Sequence, residues 1–178
     1  MACPSHLILI GLPGAGKSTV GRAVAERLGR PFIDLDTEIE RREGRSVAEL
    51  FATRGERYFR DRERLFTKEL RGATGPLVLA PGGGWVTNHG VVALLRPPGR
   101  IIYLEVAPER ALSRLGDAAQ PVRPLLQRPD PLHALRELAE RRRALYESSS
   151  DAVVRTDLLS VQQVTDVIVE LASRAGAR

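Results

Sequence analysis

With 178 residues the chain is long enough for one domain with a proper core, and 43% apolar against 28% charged residues is the balance of an ordinary soluble globular protein. No apolar run approaches the ~18–20 residues of a membrane span, and no basic segment with a long apolar core opens the chain, so the cytoplasm is expected and neither membrane nor leader is. The net charge of +5 does not argue for nucleic acid, because 27 cationic side chains are interleaved with 22 acidic ones and aromatics are only 4%.

In chain order, Leu7-Ile8-Leu9-Ile10 is an unbroken apolar run of the kind that makes a buried parallel strand. Gly11-Leu12-Pro13-Gly14-Ala15-Gly16-Lys17-Ser18-Thr19 then matches the phosphate-binding pattern G-x-x-x-x-G-K-[ST]. Val20, Val24 and Leu28 recur at helical spacing before a stop at Gly29. Arg30 to Leu35 reads as a second strand carrying Asp34 and Asp36, followed by a helix through Ile39 to Arg42 that Gly44 closes. Ser46 and Glu49 have capping-box spacing for a further helix, interrupted at Gly55 and resuming through Phe59, Phe66 and Leu70. Leu77–Ala80 is a third strand and runs into Pro81-Gly82-Gly83-Gly84; Thr87 or Asn88 is expected to cap a short helix stopped by Pro97-Pro98. Ile101–Leu104 is a fourth strand, and Pro108 opens a helix to Leu115. Residues 116–131 read as a mobile loop, 132–146 as a helix, Ala152–Val154 as a fifth strand, and Ser160 with Gln163 caps a last helix. Strands alternating with helices make an α/β three-layer sandwich around a five-stranded parallel sheet, with ligands at the carboxyl ends of the strands.

The glycine loop lets backbone N–H groups turn inward onto phosphate oxygens at a helix N-terminus; Lys17 then reaches the outer phosphates and the Ser18 hydroxyl is suited to Mg²⁺. Only Lys17 and Lys68 are lysines in a chain otherwise cationic through arginine, as a slim point charge beside a phosphate requires. Asp34 and Asp36, two apart in a strand, would point both carboxylates into the cleft, one for the metal's water shell and one for an attacking hydroxyl; a helix cap is the simpler role for either. Gly82–Gly84 offers bare backbone to a ligand, or is a plain turn. The inward stripe Leu135, Leu138, Leu145 is filled at its missing place by Arg142, which needs an anionic partner; Arg141 and Arg143 fall on the solvated face. Arg123, in the loop, could swing over a transferring phosphate. Trp85, the only tryptophan, reads as core, and His6, His89 and His133 as structural. Cys3, the only cysteine, rules out an intrachain disulfide.

Together these residues resemble the shikimate kinase family along nearly the whole chain. The matching motifs are Gly11–Thr19, Asp34-Leu35-Asp36, Glu56-Arg57-Tyr58-Phe59-Arg60, Gly82-Gly83-Gly84, Val122-Arg123-Pro124-Leu125-Leu126 and Arg142-Arg143-Ala144-Leu145-Tyr146. The resemblance implies a P-loop NTPase fold of the nucleoside-monophosphate-kinase-like type, a single kinase domain over 1–178 with an acceptor-binding segment at about 34–63 and a lid at about 116–130, and ATP-dependent phosphorylation of the shikimate 3-hydroxyl by a monomer using Mg²⁺. It implies ATP contacts at Gly14, Ala15, Gly16, Lys17, Ser18 and Thr19, with Arg114 against adenine and Arg123 closing onto the γ-phosphate. It implies metal at Ser18 and Asp34, catalysis by Asp36, Lys17 and Arg123, and acceptor contacts at Asp36, Arg60, Gly82, Gly83, Gly84 and Arg142.

The chain departs from the family where Trp85 replaces the small residue usual after the glycines, which would narrow the acceptor pocket. Leu158, Leu159 and Val161 stand where basic and proline residues often flank adenine, Arg141 stands where many members have an acid or lysine, and Asp117–Gln120 lengthens the lid. A gluconate-type kinase would not need two arginines on an acceptor carboxylate. No Asn-Lys-x-Asp guanine motif is present, and a non-catalytic sensor would be expected to have lost Lys17 or Asp36.

Overall fold

The structure is a computed structural model and describes residues 5–117 and 129–175; Cys3 and Arg123 lie outside the described residues. Five strands, β1 (Leu7–Ile10), β2 (Phe32–Asp34), β3 (Val78–Ala80), β4 (Arg100–Glu105) and β5 (Ala152–Arg155), form one parallel sheet in the order β2-β3-β1-β4-β5. Every residue of central β1 is buried, so both faces of the sheet are covered. The covering helices are α1 (Lys17–Leu28), α2 (Leu35–Glu43), α3 (Val47–Leu70), α4 (Val91–Leu95), α5 (Pro108–Asp117), α6 (Pro131–Ser149) and α7 (Val161–Ala175). α1 packs along α7, α3 against α4, and α5 against α6.

Local signals account for most of the boundaries. Gly29 closes α1 in the left-handed region, both halves of the Ser46/Glu49 capping box form, and Ser160 and Gln163 exchange the same pair of bonds ahead of α7. Gly55, at φ 80 and ψ 166, kinks α3 where an interruption was expected.

Four local expectations are corrected. β2 stops at Asp34, whose side chain accepts from the Thr37 N–H and caps α2; Asp36 therefore sits in the first helical turn, not two along a strand. α4 is capped by Gly90, because the Thr87 hydroxyl turns back to the Gly84 carbonyl and the Asn88 side chain reaches α3 instead. α5 extends to Asp117, and Asp130 caps an α6 that begins at Pro131, so both helices trim the expected 116–131 loop. The inward stripe of α6 continues from Arg142 to Tyr146, not Leu145, which is 40% exposed. Tyr146 takes that place because its ring stacks on Tyr103 and its phenol donates to the Gly83 carbonyl.

Candidate active site

The loop between β1 and α1 brings its functional groups to the carboxyl edge of the sheet. Gly16, at φ 91, precedes α1 with no side-chain cap, leaving the first N–H groups of the helix directed at the loop's concavity. Gly14 has φ 82, and a β-carbon there would lie 2.4 Å from the Ala111 carbonyl oxygen of α5, so only glycine fits. Lys17 Nζ folds back over the loop, donating to the carbonyls of Gly11 and Leu12 at 3.0 and 2.9 Å. The Ser18 hydroxyl donates to Asp34 Oδ2 at 2.5 Å, which joins the start of α1 to the end of β2 and puts two hard oxygen donors side by side.

The second cluster is built on the three glycines after β3. A β-carbon on Gly82 would meet Asp36 Oδ1 at 2.7 Å, one on Gly83 would meet Arg142 Nη1 at 3.4 Å, and one on Gly84 would meet Arg60 Nη2 at 2.4 Å. Three successive glycines thus face one carboxylate and two guanidinium groups, brought in by α2, α6 and α3. The expected acceptor residues Asp36, Arg60, Gly82, Gly83, Gly84 and Arg142 converge in one place.

Electrostatics in this cluster are strained. Asp36 Oδ1 is sealed from solvent and has no hydrogen-bond partner. Burial, then the nearby Glu63 and Asp34 carboxylates, push the Asp36 carboxyl up to about 7 against the opposing pull of Lys17. Arg60 pairs with Glu63 at 2.7 Å and with the exposed Glu56 at 3.1 Å. Glu63 is fully buried, and burial raises its carboxyl although Arg60 and Asn88 oppose the shift. Behind Gly83, the Tyr146 phenol donates to the Gly83 carbonyl at 2.6 Å while its ring stacks on Tyr103, centroids 5.0 Å apart.

Sequence reasoning missed Glu63 and the tie made by Tyr146. Glu63 stands three residues after Arg60, a spacing that does signal an ion pair, but α3 offers several acid–arginine spacings of that kind and only tertiary burial singles this one out. Trp85 does not narrow the cleft. Its side chain is fully buried, and its indole N–H donates to Thr67 Oγ1 at 3.0 Å.

On the far side of the glycine loop, Arg114 on α5 donates to the Thr156 hydroxyl at 3.0 Å and the Thr156 carbonyl at 2.6 Å. Nearby, a cleft of about 300 Å³ is lined by Leu12, Tyr103, Ala107, Arg143 and Asp157; it flanks the loop and does not include Asp36 or Arg60. The lid motif around Arg123 lies outside the described residues.

A family profile described as shikimate kinase matches residues 13–173. A shikimate kinase of Symbiobacterium thermophilum is 42% identical over 174 residues, 97% of this chain and 99% of its own length. One from Pseudomonas paraeruginosa is 42% identical over 165 residues, covering 93% of this chain and 94% of its own. The solved structure of shikimate kinase from Acinetobacter baumannii in complex with shikimate superposes with a TM-score of 0.89 at 35% identity, covering 98% of this chain and 96% of that one.

Proposed function

The chain belongs to the shikimate kinase family, and on that premise we propose that it is the enzyme that transfers the γ-phosphoryl group of ATP to the 3-hydroxyl of shikimate, a step toward chorismate and the aromatic amino acids. The observation that carries this reading is the convergence of Asp36, Arg142 and Arg60 on the three glycines. Such a site suits a small acid with hydroxyl groups: guanidinium groups for its carboxylate, a carboxylate for its hydroxyl, and bare backbone for its ring.

In this reading the acceptor carboxylate bridges Arg60 and Arg142. Arg60 can exchange its pair with Glu56, which is largely exposed and weakly held, while Glu63 stays to orient it. Asp36, with its carboxyl held near neutrality, takes the proton of the 3-hydroxyl as that oxygen bonds to the γ-phosphorus and the bond to the leaving ADP oxygen breaks. Lys17 moves from the Gly11 and Leu12 carbonyls onto the phosphates, Gly14 to Thr19 wrap them, Arg114 flanks the adenine and Arg123 closes from the lid.

Among the described residues no cluster of three or more His, Cys, Asp or Glu could cage a metal, so a cation here would rest on Ser18, Asp34, phosphate and water, which is how Mg²⁺ is commonly held. Bound there, Mg²⁺ would neutralise charge on the outer phosphates. We read the protein as a single-domain cytoplasmic monomer, with residues of about 34–63 and 116–130 closing over the substrates; among the described residues no helix is long and apolar enough to cross a membrane.

The test is ADP release from ATP and Mg²⁺ with and without shikimate. A rate that depends strongly on shikimate, and is absent with quinate or gluconate, is expected. Slow hydrolysis indifferent to shikimate would overturn the acceptor assignment.

A further inference from the structure

Trp85, which follows the three glycines directly, sits on the joint between α3 and the glycine turn. Arg60, Glu63 and Thr67 lie at i, i+3 and i+7 on one face of α3, the face turned toward the 3-10 turn Trp85–Thr87 that follows Gly84. Across that joint the indole N–H of Trp85 donates to Thr67 Oγ1 at 3.0 Å, and the Thr67 hydroxyl in turn donates to the Glu63 carbonyl at 2.7 Å. Asn88 Nδ2 donates to the Arg60 carbonyl at 2.7 Å and reaches Glu63 Oε2 at 3.5 Å. Among the described residues, every hydrogen bond between α3 and residues 82–88 comes from these side chains; no backbone bond of the turn reaches α3.

Trp85, Thr67 and Glu63 are all essentially inaccessible to solvent, so water cannot replace the bonds from Trp85 to Thr67 and from Thr67 to the Glu63 carbonyl. The Arg60 guanidinium lies directly on the Gly84 α-carbon, leaving no slack between α3 and the glycines. A shift of the turn by a fraction of an ångström relative to α3 therefore changes how Gly83 and Gly84 sit against the two arginines that face them.

We propose that Trp85, Thr67 and Asn88 are positioning residues that latch the 82–88 turn to α3 and so set the affinity for the acceptor. The proposal rests on the reading of Arg60, Gly83, Gly84 and Arg142 as the acceptor clamp. The phosphate loop meets this turn at Gly83, where a β-carbon would lie 3.1 Å from Pro13 Cδ and 3.2 Å from the Gly11 carbonyl oxygen, whereas the latch bonds leave the turn from Trp85 and Asn88 toward α3.

Thr67→Val keeps the shape of the side chain and strands the indole N–H, and Asn88→Ala removes the second tie at a half-buried position that tolerates truncation. Each is expected to raise the KM for shikimate about tenfold, the loss that follows from one unmade buried hydrogen bond, with the KM for ATP and kcat within about twofold. Thr67→Ser, which restores the hydroxyl, is expected to return the KM toward that of the unaltered chain. Trp85 is the only tryptophan, so its emission gives a second readout: the shikimate concentration for half-maximal change should rise in step with the KM in Asn88→Ala. A fall in thermal stability with both KM values moving together, or neither moving, would overturn the latch alone. An unaltered protein that shows neither shikimate-dependent ADP release nor a change in emission would overturn the acceptor reading, and the latch with it.

Discussion

The two halves of the site are made of different material. The phosphate side is one continuous stretch of backbone, Gly11 to Thr19, shaped by glycine torsions and an open helix N-terminus, with Lys17 and Ser18 as its chemical side chains. The acceptor side is a meeting of side chains from α2, α3 and α6 on the bare backbone of Gly82–Gly84. Backbone amides keep their partial charge whatever the side chains are, so the first half is fixed by geometry. The second half depends on how four separate elements pack, and on a chain of buried charges: Asp36 is repelled by Glu63, and Glu63 is held by Arg60. One half should therefore fail when the chain cannot bend, the other when a single charge is removed.

The largest effect should come from the acceptor half. Asp36→Asn keeps the shape and removes the base, and kcat should fall on the order of 1,000-fold while ATP still binds; near-normal kcat would show that the carboxylate has no part in the proton transfer. With the Asp36 carboxyl at about 7, kcat/KM for shikimate in the unaltered enzyme should climb with pH and level off above that value. Stability carries the opposite sign. The folded chain keeps a proton that an unfolded carboxyl, with its ordinary value of 3.8, has already released, so folding stability falls as pH rises between about 4 and 7. Asp36→Asn cannot ionise and should melt at a higher temperature than the unaltered chain at pH 8, the gap closing toward pH 4.

Gly14→Ala tests the backbone half. It forces a β-carbon into a left-handed torsion and against the Ala111 carbonyl, and the KM for ATP should rise, or kcat fall, by about 100-fold through strain of a few kcal/mol. Arg142→Ala should raise the KM for shikimate by a comparable factor of about 100 with the KM for ATP little changed. Arg142→Lys should recover only part of that loss, since an ammonium cannot reproduce the guanidinium fork. Equal effects of Arg142→Ala on both substrates would mean that this arginine serves the fold.

The same contrast explains what the sequence made legible. The phosphate loop could be read because its parts are neighbours in the chain, and the capping boxes at Ser46/Glu49 and Ser160/Gln163 because they span four residues. Arg142 could be read because a charge interrupts an apolar stripe. The disposition of Asp34 and Asp36 could not: an acid at a strand end and an acid in a helix's first turn look alike in sequence, and the competition between strand period and helix cap was decided by the bond from the Thr37 N–H. Glu63 was invisible because α3 carries several acids and arginines at helical spacing, and the buried one is distinguished only by what packs over it. That Trp85 belongs to the core is legible from its residue type, but that it turns away from the acceptor cleft instead of narrowing it is not, because its indole is held by Thr67, 18 residues earlier.

Removing Arg114 should have a smaller effect than Asp36→Asn, Gly14→Ala or Arg142→Ala and be the mirror image of removing Arg142. The Arg114 guanidinium is pinned by two bonds to Thr156, and burial lowers its pKa below the ordinary arginine range, so its plane is already fixed before any nucleotide arrives. A fixed plane can stack on an adenine ring without losing side-chain freedom, and such a contact at a partly exposed site is worth about 0.5–1 kcal/mol. Arg114→Ala should therefore raise the KM for ATP about two- to fivefold and leave the KM for shikimate alone. Thr156→Val, which removes the hydroxyl partner and leaves the carbonyl one, should have a smaller effect in the same direction. If Arg114→Ala instead shifted the shikimate KM, the two halves would be coupled through α5 and the Gly14–Ala111 contact, and the division between a backbone-built and a side-chain-built half would hold for their construction but not for their energetics.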